Sequence, residues 1–326
     1  MKRGRPAVAR ASGLPLLLAL LAPLLLAGTP APQTKALTSL RVAPAADSAT
    51  DVGRLRGFFA AEGLDVATVV TTSSTDQMRG VGDGTYDVVF TAFDNVLAWS
   101  GREGAELVAV LRSNDGPLLP LYVRPEITDW GDLRGKPLAA DAVDTAFALV
   151  LRRILLAHDL DLDRDDYTLV AVGNPTLRLQ AMERGEAYAA ILNPPTDARA
   201  EAAGMVRFGD HREVLPRYPG NVAAVSRAWA TQHRAALIGF LRGWLATARW
   251  IHANRDAAAE LLAADQGISR DAAATRLAAV PQDGALDPEG LASVLALRTQ
   301  FGLTPPLGPD VSRYYTAEYL QATAAR

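Results

Sequence analysis

Asp129 to Phe147 reads DWGDLRGKPLAADAVDTAF, and within nineteen residues it passes from turn to buried strand to polar loop to helix start. Pro137-Leu138-Ala139-Ala140 is short and apolar enough for a strand covered on both faces. Asp141 to Thr145 is polar, and Phe147, Leu151, Ile154 and Leu155 then fall on one face of a helix that begins at Asp144 or Thr145. In an open α/β sheet, small molecules settle beyond the carboxyl ends of strands, where the first free N–H groups of the next helix point at them. The segment is therefore a candidate ligand cradle.

The same order recurs on both sides of it. Ser39 to Ala43, Leu64 to Val70, Tyr86 to Thr91 and Glu106 to Leu111 read as strands. Between them lie helices at Asp51 to Glu62, from a Ser74/Gln77 capping box to the glycines at 80, 82 and 84, and at Phe93 to Ser100. The pattern restarts with strand Leu118 to Val123, helix Thr145 to Ala157, strand Tyr167 to Val172, helix Pro175 to Arg184 and strand Ala187 to Leu192. Strand Asn221 to Val225 follows, then helices at about 228 to 254, 256 to 264, 270 to 279, 288 to 301 and 313 to 323. Such alternation predicts an α/β fold with mostly parallel sheets flanked by helices. The strands at 118 to 123 and 221 to 225 read as paired crossings. A second lobe, residues 118–218, is then inserted into a first lobe made of residues 37–117 and 219–326.

Residues 1–36 have the form of a secretory signal. Lys2, Arg3, Arg5 and Arg10 precede the apolar run LPLLLALLAPLLLAG at 14 to 28, which holds two prolines and is short of the roughly twenty residues that span a bilayer. The cleavage point is open between Gly28 and Ala36. With that segment removed, 28 basic residues stand against 36 acidic ones, a formal charge of −8. An acidic chain of this kind lacks the basic face that nucleic acid or anionic membrane surfaces require. The absence of cysteine excludes disulfides, thiolate metal sites, a cysteine nucleophile and lipoprotein acylation. The fold must rest on its core, and a chain of this length divides into two domains.

Patterns that elsewhere mark chemistry have ordinary readings here. Asp159, Asp161, Asp163 and Asp165 alternate like a calcium loop, but Arg164 and Val170 occupy the positions that need glycine and glutamate, which leaves a solvated connector. Gly80, Gly82 and Gly84 follow a helix and precede a strand, the reverse of a pyrophosphate cradle. His158, His211, His233 and His252 lack metal-ligand spacing, and no Gly-x-Ser-x-Gly elbow is present. No catalytic, metal or cofactor site is expected. Trp229, Trp244 and Trp250 read as packing residues of long helices.

What remains is five polar loops, each after a strand: residues 46–50 with Asp47, Ser48 and Thr50; Thr72-Ser73-Ser74; residues 91–95 with Phe93, Asp94 and Asn95; residues 141–147 with Asp144, Thr145, Ala146 and Phe147; and residues 192–196 with Asn193 and Pro194. Singly, each reads equally well as helix capping. Together, at one end of two sheets, they make a polar pocket with Phe93 and Phe147 as apolar walls.

At these residues the chain resembles a periplasmic solute-binding protein of an ABC importer, in the branch of sulfonate, nitrate and thiamine-pyrimidine-precursor binders. The resemblance rests on GFFAAEGLDV at 57–66, GDGTYDVVFTAFDN at 82–95 and DLRGKPLAADAVDTAF at 132–147. LNPPTDARA at 192–200 stands where the family often has a Trp-Asp-Pro-type segment, with Asn193-Pro194 in the Asp-Pro position and no aromatic. It implies a two-lobed type II binding-protein architecture, a monomer, and a membrane permease as partner. It also implies that Thr91 to Asn95, Asp144 to Phe147 and Asn193-Pro194 contact the ligand while residues 45–50 cover it. Asp47, Asp94 and Asp144 fall in these loops without Lys or Arg, so a cationic or neutral polar ligand, amine-bearing or heteroaromatic, is expected. Two rival readings are a pyrimidine-precursor-synthase-like enzyme and an exported sensor or scaffold of the same fold.

Overall fold

The computed structural model describes residues 36–44, 47–115 and 119–324. The expected export signal lies outside the described residues, as do residues 45 and 46 of the first loop and residues 116–118 of the first crossing.

Two five-stranded sheets carry the fold. The first part of the chain supplies β1 (Thr38–Pro44), α1 (Ser48–Leu55), α2 (Phe58–Ala61), β2 (Leu64–Thr68), α3 (Ser74–Gly82), β3 (Val88–Ala92), α4 (Phe93–Trp99) and β4 (Leu107–Arg112). The middle supplies β5 (Pro120–Val123), β6 (Pro137–Ala140), α5 (Ala146–Ala157), β7 (Thr168–Ala171), α6 (Pro175–Glu183), β8 (Ala189–Ile191), α7 (Thr196–Ala202) and β9 (Val206–Asp210). The last part adds β10 (Asn221–Ser226), α8 (Arg227–Gln232), α9 (Arg234–Ala253), α10 (Arg255–Gln266), α11 (Arg270–Ala278), α12 (Pro288–Gln300) and α13 (Glu318–Gln321).

The first sheet has the order β2-β1-β3-β10-β4 and the second β7-β6-β8-β5-β9, so every strand of the second lies in sequence between β4 and β10 of the first. Both sheets are mixed. β2, β1 and β3 pair in parallel, and so do β7, β6 and β8, but β10 runs antiparallel to β3 and β4, and β5 antiparallel to β8 and β9. This corrects the reading of residues 118–123 and 221–225 as paired crossings. They sit inside different sheets, and each is the first strand after a crossing, reached without the helical crossover that a parallel pairing needs.

Side chains of the inner strands alternate between cores, as a period of two demands. In β3, Val89 faces a core that runs from the first sheet into the second and includes Leu97, Leu149, Ile191 and Leu297. Its neighbours Val88 and Phe90 face a separate core with Phe59, Phe240 and Trp244. In β8, Ala189 and Ile191 join the shared core, while Ala190 packs with Tyr122, Leu179 and Met182 on the outer side of the second sheet. Burial on both faces explains the near-continuous apolar runs.

The helix expected from Asp51 to Glu62 is two helices. Gly57 takes φ 73° between α1 and α2, and a left-handed residue ends a helical hydrogen-bond run. The long helix expected at 228 to 254 is likewise broken at His233 into α8 and α9. The three tryptophans pack as expected, Trp244 with no exposure at all and Trp229 and Trp250 against the same core.

The crossings touch each other where they leave the sheets. Ser113 N–H donates to the Asn221 carbonyl at 2.8 Å, and Asn221 N–H donates to Asn114 Oδ1 at 3.2 Å. Gly220 lies in this contact, and a Cβ there would stand 2.4 Å from the Asn114 backbone oxygen and 1.6 Å from Asn114 Oδ1. Backbone cannot swing aside as a side-chain tip can. Gly220→Ala is expected to lower the unfolding free energy by about 1–3 kcal/mol, read from urea denaturation.

Candidate functional site

The carboxyl ends of β1, β2, β3, β6, β7 and β8 lead into loops that line two adjoining cavities, of about 430 and 390 Å³. They share Val70, Ala92, Phe147, Asn193, Pro194, Pro195 and Asn221 as walls, which makes them one cleft between the sheets. Asp47, Ser48 and Ala146 line the larger cavity. Thr72, Ser73 and Asn95 line the smaller, and Phe147, Asn193 and Pro194 line both. The parallel strand, polar loop, helix order brings these residues together for the reason anticipated from sequence.

Five expected residues do not line it. Thr50 is fully buried, its N–H and hydroxyl both bonded to Asp47 Oδ2. Phe93 is 1 % exposed and packs in the shared core, so it is no wall of the cleft. Thr145 precedes α5 and turns its hydroxyl back to the Ala142 carbonyl at 3.0 Å. Asp144 is half-exposed and faces Arg102 at 3.6 Å. Asp94, on α4, is 1 % exposed and ion-paired at 2.9 Å with Arg298 of α12, itself 2 % exposed. Burial pushes the Asp94 carboxyl up, with Arg298 pulling against it.

These pairings remove the premise of an acidic crevice without cations. Asp94 and Asp144 have arginine partners from segments distant in sequence, and of the three aspartates only Asp47 faces the cleft. Cations line it as well: Arg178 and Arg199 at the smaller cavity and Arg276 at the larger.

Arg178 stands apart from the other two. It lies in the first turn of α6, is wholly buried, and none of its three guanidinium nitrogens makes a hydrogen bond among the described residues. Its guanidinium carbon sits 4.7 Å from the centroid of the Phe147 ring. Desolvation pulls its pKa down to about 10, opposed by Asp141, so it remains charged at neutral pH. Asp141 lines the same cavity, makes no ion pair with it, and accepts the hydroxyl of Ser74 from α3, a bond from one side of the cleft to the other.

Other polar atoms at the cleft also lack partners. Asn95 Nδ2 donates to Thr91 Oγ1 at 2.9 Å while its Oδ1 is buried and unbonded, and Asn193 Oδ1 and the Tyr218 hydroxyl are in the same condition. Buried polar atoms are ordinarily satisfied, so a cluster of unbonded ones around a cavity is what a ligand site presents. Gln77 of α3 braces the site: its Nε2 donates to the carbonyls of Ala43, near the end of β1, and Phe90, in the middle of β3. Sequence reasoning missed Gln77, Arg178, Tyr218 and Arg276. An arginine at the fourth position of an unremarkable helix carries no local sign that it is buried.

Residues 51–258 match the model of the NMT1/THI5 like family, and the chain belongs to that family. Among solved structures, the alkanesulfonate-binding protein SsuA of Xanthomonas axonopodis pv. citri, bound to MOPS, aligns over 86 % of this chain and 99 % of its own, with a TM-score of 0.71 and 16 % identity. The periplasmic nitrate-binding protein NrtA of Synechocystis PCC 6803 aligns over 89 % of each chain, with a TM-score of 0.72 and 12 % identity. A DszB mutant in complex with biphenyl-2-sulfinic acid aligns over 88 % of this chain and 99 % of its own, with a TM-score of 0.61 and 18 % identity. At such identities these likenesses fix the fold, that of periplasmic binding proteins. A search of curated proteins finds no match. No helix among the described residues is long and apolar enough to cross a membrane.

Asp47 gives the site a titration to measure. Burial raises its pKa to about 6, against bonds from Thr50 and Trp244 that lower it. Below about pH 4 the carboxyl is protonated folded or unfolded; between 4 and 6 the folded state holds the proton and the unfolded state has lost it. This contribution to stability is therefore full at low pH and is lost as pH rises through about 6. The unfolding free energy of the protein relative to its Asp47→Asn variant should fall by on the order of 2–3 kcal/mol between pH 4 and pH 7, as measured by denaturant titration.

Proposed function

We propose that the chain is an extracytoplasmic solute-binding protein that captures a small organic anion in the cleft and presents it to an ABC permease. The observation that carries this reading is Arg178. A guanidinium removed from water without hydrogen bonds costs free energy in the empty protein, and a bound carboxylate or sulfonate would supply the missing acceptors. The match to the NMT1/THI5 like family and the fold shared with sulfonate- and nitrate-binding proteins support solute capture and delivery. An amine-bearing or heteroaromatic ligand loses its electrostatic basis as a sole requirement, since Asp94 and Asp144 are already paired.

Capture works by closure of two lobes, residues 37–117 with 219–326 against 118–218, about the crossings near residues 115–120 and 215–222. A ligand favours the closed form only by contacts it lacks in the open one, so it must touch both sides. Gln77 and Asn95 belong to the first side, and Arg178, Phe147 and Asn193 to the second. The bond from Ser74 to Asp141 spans the same gap and helps hold the closed form. Residues 1–36 direct export, and the protein performs no covalent chemistry on its guest.

Arg178→Met tests this. The variant should be more stable than the parent when empty, by about 1–3 kcal/mol, because a buried set of unsatisfied donors is gone. It should also lose the thermal stabilisation that the parent gains from the small carboxylate or sulfonate it binds. A variant that is less stable and still binds the same anion would sink the reading.

A further inference from the structure

The cleft has a second uncompensated charge at its other end. Asp47 is 5 % exposed and lines the larger cavity. Its carboxylate takes all its hydrogen bonds on one oxygen: Oδ2 accepts the Thr50 N–H at 2.9 Å, the Thr50 hydroxyl, and Trp244 Nε1 at 3.2 Å. Oδ1 accepts none, and no Lys, Arg or His among the described residues lies within ion-pair distance. The nearby Arg276 is engaged elsewhere, donating to Gln266 Oε1 at 2.5 Å, while Gln266 Nε2 donates to Asp51 at 2.8 Å.

Asp47 and Arg178 are thus opposite in sign, both buried, and set in different cavities of one cleft and on opposite sides of it. Of the walls common to both cavities between them, Val70, Ala92, Phe147, Pro194 and Pro195 are apolar, and Asn193 and Asn221 are the polar ones. We propose that the ligand is a zwitterion, with an acidic group against Arg178, an apolar middle along these walls, and an ammonium or protonated amine against Asp47. This rests on the anion reading above and narrows it. Each pole supplies what the other side of the ligand needs, and a ligand with both groups contacts both lobes, which is the condition for stabilising closure. A combined volume of about 430 and 390 Å³ accommodates a molecule considerably larger than an inorganic anion.

The test is calorimetry with two matched series on the purified protein: ω-aminoalkanesulfonates and ω-aminoalkanecarboxylates of increasing chain length, against alkyl acids of the same length without the amine. At the best chain length the zwitterion should bind about tenfold or more tightly than its amine-free partner, as desolvated charge pairs at interfaces do. Asp47→Asn, which keeps a side-chain acceptor for the Thr50 N–H, should bring the two members of that pair to the same affinity. Arg178→Gln should weaken both. If the amine-free acids bind as tightly as the zwitterions at every length, or if the preference survives in Asp47→Asn, the zwitterion proposal fails while the anion reading stands. If neither series binds, or binding is indifferent to Arg178→Gln, the anion reading fails and takes this proposal with it.

Discussion

Arg298 stands where the two sheets are held against each other. It sits on α12, pairs with Asp94 at the start of α4, and donates through the same Nη1 to the Asp144 carbonyl, just before α5, at 3.3 Å. Both charges are buried, and Asp94 Oδ1 and Arg298 Nε make no bond. The desolvation cost of such a pair consumes much of its attraction, so its value lies in specifying geometry: loss of either partner would strand the other in a dry site. The first turn of α4 carries Asn95 and the first turn of α5 carries Phe147, one from each side of the cleft. Their spacing depends on this guanidinium.

Around that fixed corner, the polar groups of the strand ends divide into two sorts. Some have their hydrogen bonds taken up by the fold. Thr145 bonds the turn before α5, and Ser73 caps α3 by accepting the Asp76 N–H. Others are left open: Asn95 Oδ1, Asn193 Oδ1, the Tyr218 hydroxyl and the Arg178 guanidinium. Ser, Thr, Asn and Asp suit both tasks chemically, which is why each loop alone reads ambiguously. The cleft is distinguished by where the unsatisfied ones collect.

Much of the architecture was legible. Apolar runs of four to six residues bounded by turns located nine of the ten strands, and the alternation with helices located the loops that line the cleft. The strand that escaped, β9, lies at a sheet edge with Val206 and Arg207 exposed, so the segment lacks a sustained apolar pattern. The antiparallel course of β5 and β10 also escaped, because strand direction is decided by how the chain arrives and not by side-chain periodicity. The break at Gly57 was masked by apolar residues that continue on both sides of it.

The amino-acid sequence by itself determined the α/β alternation, the insertion of one series of elements within another, and the convergence of polar loops at strand ends, since all three follow from local periodicity and chain order. Only the tertiary structure decided the charge of the cleft. Asp94 meets Arg298 across 204 positions and Asp47 meets Trp244 across 197, while Arg178 is buried by the packing around it and left without an acceptor. Whether an ionised group is neutralised, sheltered or left waiting depends on which neighbours folding places within a few ångströms, and composition and spacing carry no record of that.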